Sequence, residues 1–302
     1  MIINKNEIDI ILVADKNVEI GLHVTLYSLL ENSSLEFHRI HVITKAFTNS
    51  FLNNLRNTLL PFKGKFELNI IEFDDSIFKS YKGLHGNTFV YTKLVLSNLI
   101  KVDVAVYLDI DIVVNVDISS INSYFTDDFL NKNAIAANKE GKIKDSLEYV
   151  FLKKLGKKES DKYYNTGIML VNLDLWRKLE LPKLFLNFAE KHYENLKTAD
   201  QTVINGILDN SMILEIPEKF NYRIENTLSN HFYKNKMVIL HFFGRPKPWD
   251  LFAEYIHPHY NIFKEVLDKT EFRKYNSIKS SNSASRKKLL KTYKSYIKLI
   301  LS

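Results

Sequence analysis

Short apolar runs punctuate the first half of the chain at 8–13, 40–43, 68–71 and 104–108. Each is the length of a buried strand. The stretches between them, at 19–32, 48–60 and 91–100, space their apolar residues as helices do, the last through Leu94, Val95, Leu99 and Ile100. Strands alternating with helices predict a largely parallel sheet and a Rossmann-like opening half. After Asp111 the pattern loosens, with strands expected at 134–137, 168–171, 212–216 and 238–240 and helices at 173–195 and 200–209. The sheet should therefore be mixed, in one α/β unit spanning residues 1–270, and no internal repeat is visible.

A different pattern closes the chain. Residues 277–285 have the composition of a linker. From Ser285 to Leu301 a stripe of Leu289, Leu290, Tyr293, Tyr296, Ile297, Ile300 and Leu301 recurs at helical spacing opposite Lys287, Lys288, Lys291, Lys294 and Lys298. Residues 271–302 are thus expected to form a linker and a basic amphipathic helical tail.

Charge sharpens that division. The chain carries 42 basic and 35 acidic residues, a net charge of +7. Nine of the basic residues and none of the acids lie in 273–302, so the preceding 272 residues carry −2. A basic coat for nucleic acid would spread over the body, and this body is near neutral. With 45% hydrophobic residues, 13% of all residues being aromatic, the body has ample material for a core. Cysteine is absent, which excludes disulfides and thiolate metal sites. Acids at Glu7, Asp9 and Asp15 interrupt any export-type apolar segment, and no 18-residue apolar run occurs. The expected location is cytoplasmic.

Candidate chemistry gathers where strands end. The run 104–108 leads into Asp109-Ile110-Asp111, and in extended chain residues i and i+2 point the same way. Adjacent carboxylates repel unless a cation lies between them, and hard oxygen ligands suit Mg²⁺ or Mn²⁺ carrying a diphosphate. A turn or helix cap is the competing reading. Asp15, in Val13-Ala14-Asp15-Lys16-Asn17, ends the first run; it either faces the same crevice or, with Asn17, caps the helix beginning near Glu19. No GxGxxG follows, so ordinary dinucleotide binding is disfavoured. His241-Phe-Phe-Gly244-Arg-Pro-Lys247-Pro-Trp249 follows the last run. There a histidine can supply a nitrogen ligand that favours Mn²⁺ over Mg²⁺, Gly244 permits close backbone approach, and Lys247 can neutralise phosphate. Asn165-Thr166-Gly167 reads as a loop entering a strand, and Asp200 as an N-cap for a helix beginning at Gln201.

Taken in order, five segments resemble glycosyltransferase family 8, the retaining enzymes that include lipooligosaccharide galactosyltransferases, lipopolysaccharide glucosyltransferases and glycogenins. They are Ala14-Asp15-x-Asn17, Tyr107-Leu-Asp109-x-Asp111, Asn165-x-Gly167, Asp200-Gln201 and His241-x-x-Gly244-x-x-Lys247-Pro-Trp249. The resemblance spans roughly residues 8–265. It implies a GT-A fold, a UDP-sugar donor and a divalent ion, Mn²⁺ or Mg²⁺, with Asp109, Asp111 and His241 as ligands. It further implies that Ala14, Asp15 and Asn17 meet uracil and ribose, that Lys247 and the Gly244 backbone meet diphosphate, and that Lys93 and Ile110 line the donor site. Asn165, Thr166, Gly167, Asp200 and Gln201 would surround the transferred sugar, with Asp200 and Gln201 nearest the reaction. Two departures stand out. Val18 occupies a position where the family often has an aromatic residue beside the base, and Asn138 falls where the galactosyltransferases place an Asp.

The function expected from this resemblance is retaining transfer of glucose or galactose to a saccharide or glycolipid acceptor in surface-glycan synthesis. Gln201 is a poor nucleophile, so front-face attack is the favoured route. The tail is expected to place the enzyme on the inner face of an anionic membrane, each near-surface Lys or Arg adding about 1 kcal/mol. Two rival readings are a catalytically silent sugar-nucleotide binder and a nucleic-acid binder using the tail; the second lacks any reading motif. The oligomeric state stays open.

Overall fold

The computed structural model describes residues 6–45, 47–81, 83–84, 87–224, 237–257, 259–281 and 283–301. Among these the strands are β1 (Glu7–Val13), β2 (Phe37–Thr44), β3 (Phe66–Glu72), β4 (Val104–Leu108), β5 (Ile112–Asn115), β6 (Ile135–Lys142), β7 (Lys162–Asn172), β8 (Ile213–Glu215), β9 (Tyr222–Arg223) and β10 (Val238–His241). Seven of them form a sheet in the order β3-β2-β1-β4-β7-β6-β8, and β5-β10-β9 form a smaller one. β1 to β4 are mutually parallel through β1, β7 runs against both β4 and β6, and β8 follows β6. The mixed α/β expectation is met, with β7 the single reversed strand of the large sheet among the described residues.

Alternation along the strands decides which face each residue serves. In β1, Ile10 and Leu12 join the core beneath helix α1 (Glu19–Glu31) and helix α2 (Asn49–Leu59), while Ile11 joins the opposite core with Tyr91, Tyr107, Met169 and Trp176. Helix α1 is buried from Ile20 to Leu30 because the large sheet covers one side and β5, Trp249 and the helix Tyr260–Leu267 cover the other. Gly21 allows this contact, since a Cβ there would strike the Ile110 carbonyl and lie 2.7 Å from the Trp249 ring.

Two expected helices differ. Over 91–100 the chain forms a 3-10 stretch, Phe89–Val95, followed by the short helix Leu96–Leu99. Phe-Val-Tyr-Thr is wholly β-branched or aromatic, a poor start for a regular α-helix. The expected helix over 173–195 is two, Leu173–Lys178 and Leu181–His192, because Glu180 turns left-handed at φ 51° and Pro182 restarts the second.

The last described segment is the helix Ser283–Leu301. It rests on residues 250–256 through the Lys288–Asp250 ion pair and a Tyr296 hydroxyl that donates to the Leu251 carbonyl at 2.8 Å. Before it, Tyr275 donates to the Trp249 carbonyl at 2.8 Å and Ser277 Oγ accepts from the Phe252 amide at 2.8 Å. Tyr296 is buried, whereas Leu290, Tyr293, Ile297 and Leu301 are exposed, so the apolar stripe divides between body and solvent. No described helix is long and apolar enough to cross a membrane.

Candidate active site

Topology brings the polar segments together. Asp15 follows the carboxyl end of β1 and Asp109 that of β4, and because β7 is reversed, its first half lies beside that same edge. A register shift then shapes it. Between the pairs Ala137–Met169 and Asn138–Asn165, β7 advances four residues while β6 advances one, which frees Thr166, Gly167 and Ile168 from β6. Gly167 turns to β4 instead, its carbonyl accepting from the Asp109 amide at 2.7 Å. Asn165, Thr166 and Gly167 therefore sit inside β7, which begins at Lys162, rather than in a loop before it.

Asp109, Asp111 and His241 converge, one ligand atom of each lying within 4.8 Å of the others. Asp109 and Asp111 occupy the bend between β4 and β5, and His241 ends β10, which pairs with β5 through His241–Ile112. His241 Nδ1 contacts Asn221 Oδ1 at 2.9 Å. Because Asn221 Nδ2 already donates to Asn165 Oδ1 at 2.8 Å, Oδ1 must accept from the ring. The proton is thereby assigned to Nδ1, leaving the Nε2 lone pair facing Asp111 Oδ1 at 3.4 Å. A lone pair opposed to carboxylates calls for a cation between them, so this donor set fits a divalent ion. Gly167 keeps the corner open: a Cβ would run into His241 Cε1 and lie 3.0 Å from Asp109 Oδ2.

Each acid has further partners. Asp109 Oδ1 accepts from the Tyr107 hydroxyl at 2.7 Å and faces Lys93 Nζ at 3.3 Å. Asp111 pairs with Lys247, whose ammonium also donates to the Phe242 carbonyl at 2.8 Å. Burial pushes the Asp111 carboxyl upward, but the Lys247 ammonium beside it holds it below the usual carboxylate range. Lys93 is 4% exposed, bonding Asp200 Oδ2 at 2.8 Å and the Thr166 carbonyl at 3.1 Å as well as facing Asp109. Burial would lower its pKa, yet the two carboxylates raise it. Burial raises the pKa of Asp200, against the pull of Lys93.

The expected helix caps are absent. Asp15 Oδ1 accepts from the Asn17 amide at 2.8 Å, and the cap residue of α1 is Val18, without a side-chain bond. The helix Asp200–Ile207 begins at Asp200 itself behind Ala199, which is held at φ 50°. Glu148, buried at 1% exposure, accepts from the Thr198 amide and hydroxyl at 2.8 Å each and from the Thr202 hydroxyl at 2.9 Å. Those bonds fix the strained turn that presents Asp200 and Gln201. Asn138, with its carboxamide turned so that both ends find partners, bonds the Lys139 carbonyl and the Glu218 amide at 3.2 Å each.

Sequence reasoning did not single out Glu140, Glu148, Asn221 or Arg223. Glu140 accepts from Gln201 Nε2 and Asn165 Nδ2, both at 3.1 Å, and from Arg223 at 2.9 Å. These are isolated polar residues whose side-chain partners lie 15 to 83 positions away. No local spacing marks them.

Comparison with known proteins completes the picture. Residues 9–253 match the family signature described as Glycosyl transferase family 8. Among curated proteins, the chain is 26% identical to General stress protein A of Bacillus subtilis, over 91% of this chain and 97% of that one. It is 23% identical to lipopolysaccharide 1,2-glucosyltransferase of Escherichia coli, over 86% and 77%. Among solved structures, the galactosyltransferase LgtC in complex with donor and acceptor sugar analogs superposes with a TM-score of 0.72 at 21% identity, covering 93% of this chain and all of that one. A WbbM bifunctional glycosyltransferase superposes at 0.69 and 17%, covering 91% of this chain and 52% of that one. The GT-A expectation is met by this likeness of fold.

Proposed function

The chain belongs to glycosyltransferase family 8, and from that premise we propose that it moves a hexose, glucose or galactose, from a UDP-sugar to a saccharide acceptor with retention of anomeric configuration. The observation that carries the reading is the meeting of Asp109, Asp111 and His241, with the His241 lone pair turned toward the carboxylates. These residues would hold a divalent ion, Mn²⁺ in preference to Mg²⁺ because one ligand is nitrogen, and when bound it neutralises the departing diphosphate.

The chain's own groups do the rest. Ala14, Asp15 and Asn17 hold the nucleoside, Asp15 being shaped for it by the Asn17 amide. Lys247 leaves Asp111 for the diphosphate, which it meets as a compact positive charge. Gly244, at φ 80° with open space where a Cβ would stand, lets the diphosphate approach its backbone. Every ammonium proton of Lys93 has an oxygen partner, so its part in the donor site runs through Asp109 and Asp200. Asp200 and Gln201 lie against the transferred sugar, with Ile110, Asn165, Thr166 and Gly167 closing the pocket. The anomeric C–O bond to the β-phosphate breaks, the acceptor oxygen attacks the same face, and its proton passes to the β-phosphate oxygen.

Surface-glycan synthesis, lipopolysaccharide among its products, is the proposed setting, supported by the glucosyltransferase among the relatives. The exposed Leu290, Tyr293, Ile297 and Leu301 beside Arg286, Lys287, Lys291 and Lys294 support a tail that rests on an anionic membrane at its cytoplasmic face. Release of UDP from UDP-glucose, UDP-galactose and UDP-GlcNAc, with Mn²⁺ or with chelator, tests the function. Mn²⁺-dependent release from one donor is expected; no release from any donor would overturn it.

A further inference from the structure

Glu140 is the extra residue of a bulge in β6. Lys139 pairs with Tyr164 and Gly141 with Tyr163, leaving Glu140 unmatched across β7. A bulge re-aims one side chain, and this one brings the Glu140 carboxylate onto Gln201 Nε2 and Asn165 Nδ2, both at 3.1 Å. Arg223 holds its other oxygen at 2.9 Å. The opposite end of the Gln201 carboxamide is tied as well, Oε1 accepting from the Thr166 amide at 3.2 Å. A carboxamide bonded at both ends has one orientation. A carboxylate drawing on its N–H also shifts electron density toward its oxygen, as linked hydrogen bonds polarise one another.

We propose that Glu140 is a positioning residue that sets and polarises the Gln201 carboxamide, so that Oε1 offers a fixed, electron-rich lone pair to the positive charge developing on the donor sugar ring. The inference rests on the transferase reading above. Asn138, two residues earlier, bonds backbone on the β8 side, so the acid serving this pocket from β6 is Glu140. Because the interaction is strongest when the ring is charged, Glu140 acts on turnover more than on donor binding.

The test is steady-state UDP release by the full chain from UDP-galactose and UDP-glucose with Mn²⁺. Glu140→Gln, which keeps size and removes the anion, should lower kcat roughly 10- to 100-fold with donor KM changed less than about twofold. In a Gln201→Ala background the same substitution should change kcat less than about twofold, because the two residues act as one unit. Should Glu140→Gln fail to fold, Glu140→Ala combined with Arg223→Ala removes both charges together and carries the same expectation. Wild-type kcat in Glu140→Gln, or an undiminished loss in the Gln201→Ala background, overturns the inference alone. A wild-type chain that releases no UDP overturns the transferase reading and this inference with it.

Discussion

The corner where Asp109, Asp111 and His241 meet and the C-terminal helix are both rich in charge, yet they are held in opposite ways. At the corner, three parts of the chain meet, and each functional side chain is fixed by partners far away in sequence: His241 by Asn221, Asn221 by Asn165, Lys93 by Asp200 and Asp109. The helix Ser283–Leu301 meets the body through Lys288 and Tyr296, and among its described residues Leu290, Tyr293, Ile297 and Leu301 face solvent. A buried polar network in a low-dielectric setting tolerates no missing member. A helix that leaves apolar side chains in solvent has a surface open to another partner. The difference separates a part whose polar groups are turned inward from a part that keeps an apolar face outward.

Breaking the corner should have the largest effect. His241→Ala removes a ligand and is expected to lower Mn²⁺-dependent UDP release by roughly 10²- to 10³-fold while the circular dichroism spectrum is kept; full activity would remove His241 from the site. Asn221→Ala leaves the ligands in place but frees the ring, and should raise the Mn²⁺ concentration for half-maximal activity about 10- to 100-fold, measured by metal titration. A smaller change is expected from Glu148→Gln, which sets an amide against the Thr198 and Thr202 donors: a loss of about 1–3 kcal/mol in denaturant unfolding. A stability equal to wild type would show that the turn at Ala199 needs no such anchor.

The tail should answer differently. Leu290→Glu with Ile297→Glu, both at exposed positions, should abolish pelleting with vesicles containing anionic lipid while UDP release in solution stays within about twofold. Pelleting equal to wild type would end the membrane proposal. Lys288→Ala should be the mildest, costing about 1 kcal/mol in denaturant unfolding, because its ammonium is more than a third exposed and the buried Asp250 keeps Arg245 and the Lys247 amide as partners. A large loss of activity there would show that Asp250, which also accepts from the Lys247 amide at 2.9 Å, couples tail and site more tightly than the comparison implies.

Much of this was legible in sequence. The alternation of short apolar runs with helical spacing locates β1 to β4 and helix α1, β4 to the residue and β1 and α1 within one, while β2 and β3 begin three and two residues earlier than their apolar runs because their first residues are polar or half-buried. Asp109, Asp111 and His241 stand at strand ends, where open α/β sheets gather ligands, and can be found by position and chemistry.

What only the tertiary structure decided concerns residues whose role is set by partners rather than neighbours. The reversal of β7 and its shift against β6 place Asn165 to Gly167 beside Asp109, and a one-residue bulge aims Glu140 at Gln201. A register shift changes which face every following side chain occupies, and it leaves no periodic trace in the sequence. The +7 charge divides at residue 273 in the sequence itself, but that Lys288 turns to Asp250 while Leu290 and Ile297 stay in solvent is a matter of packing. Sequence fixes local pattern and chemistry at strand ends; long-range pairing decides which polar atoms finally meet.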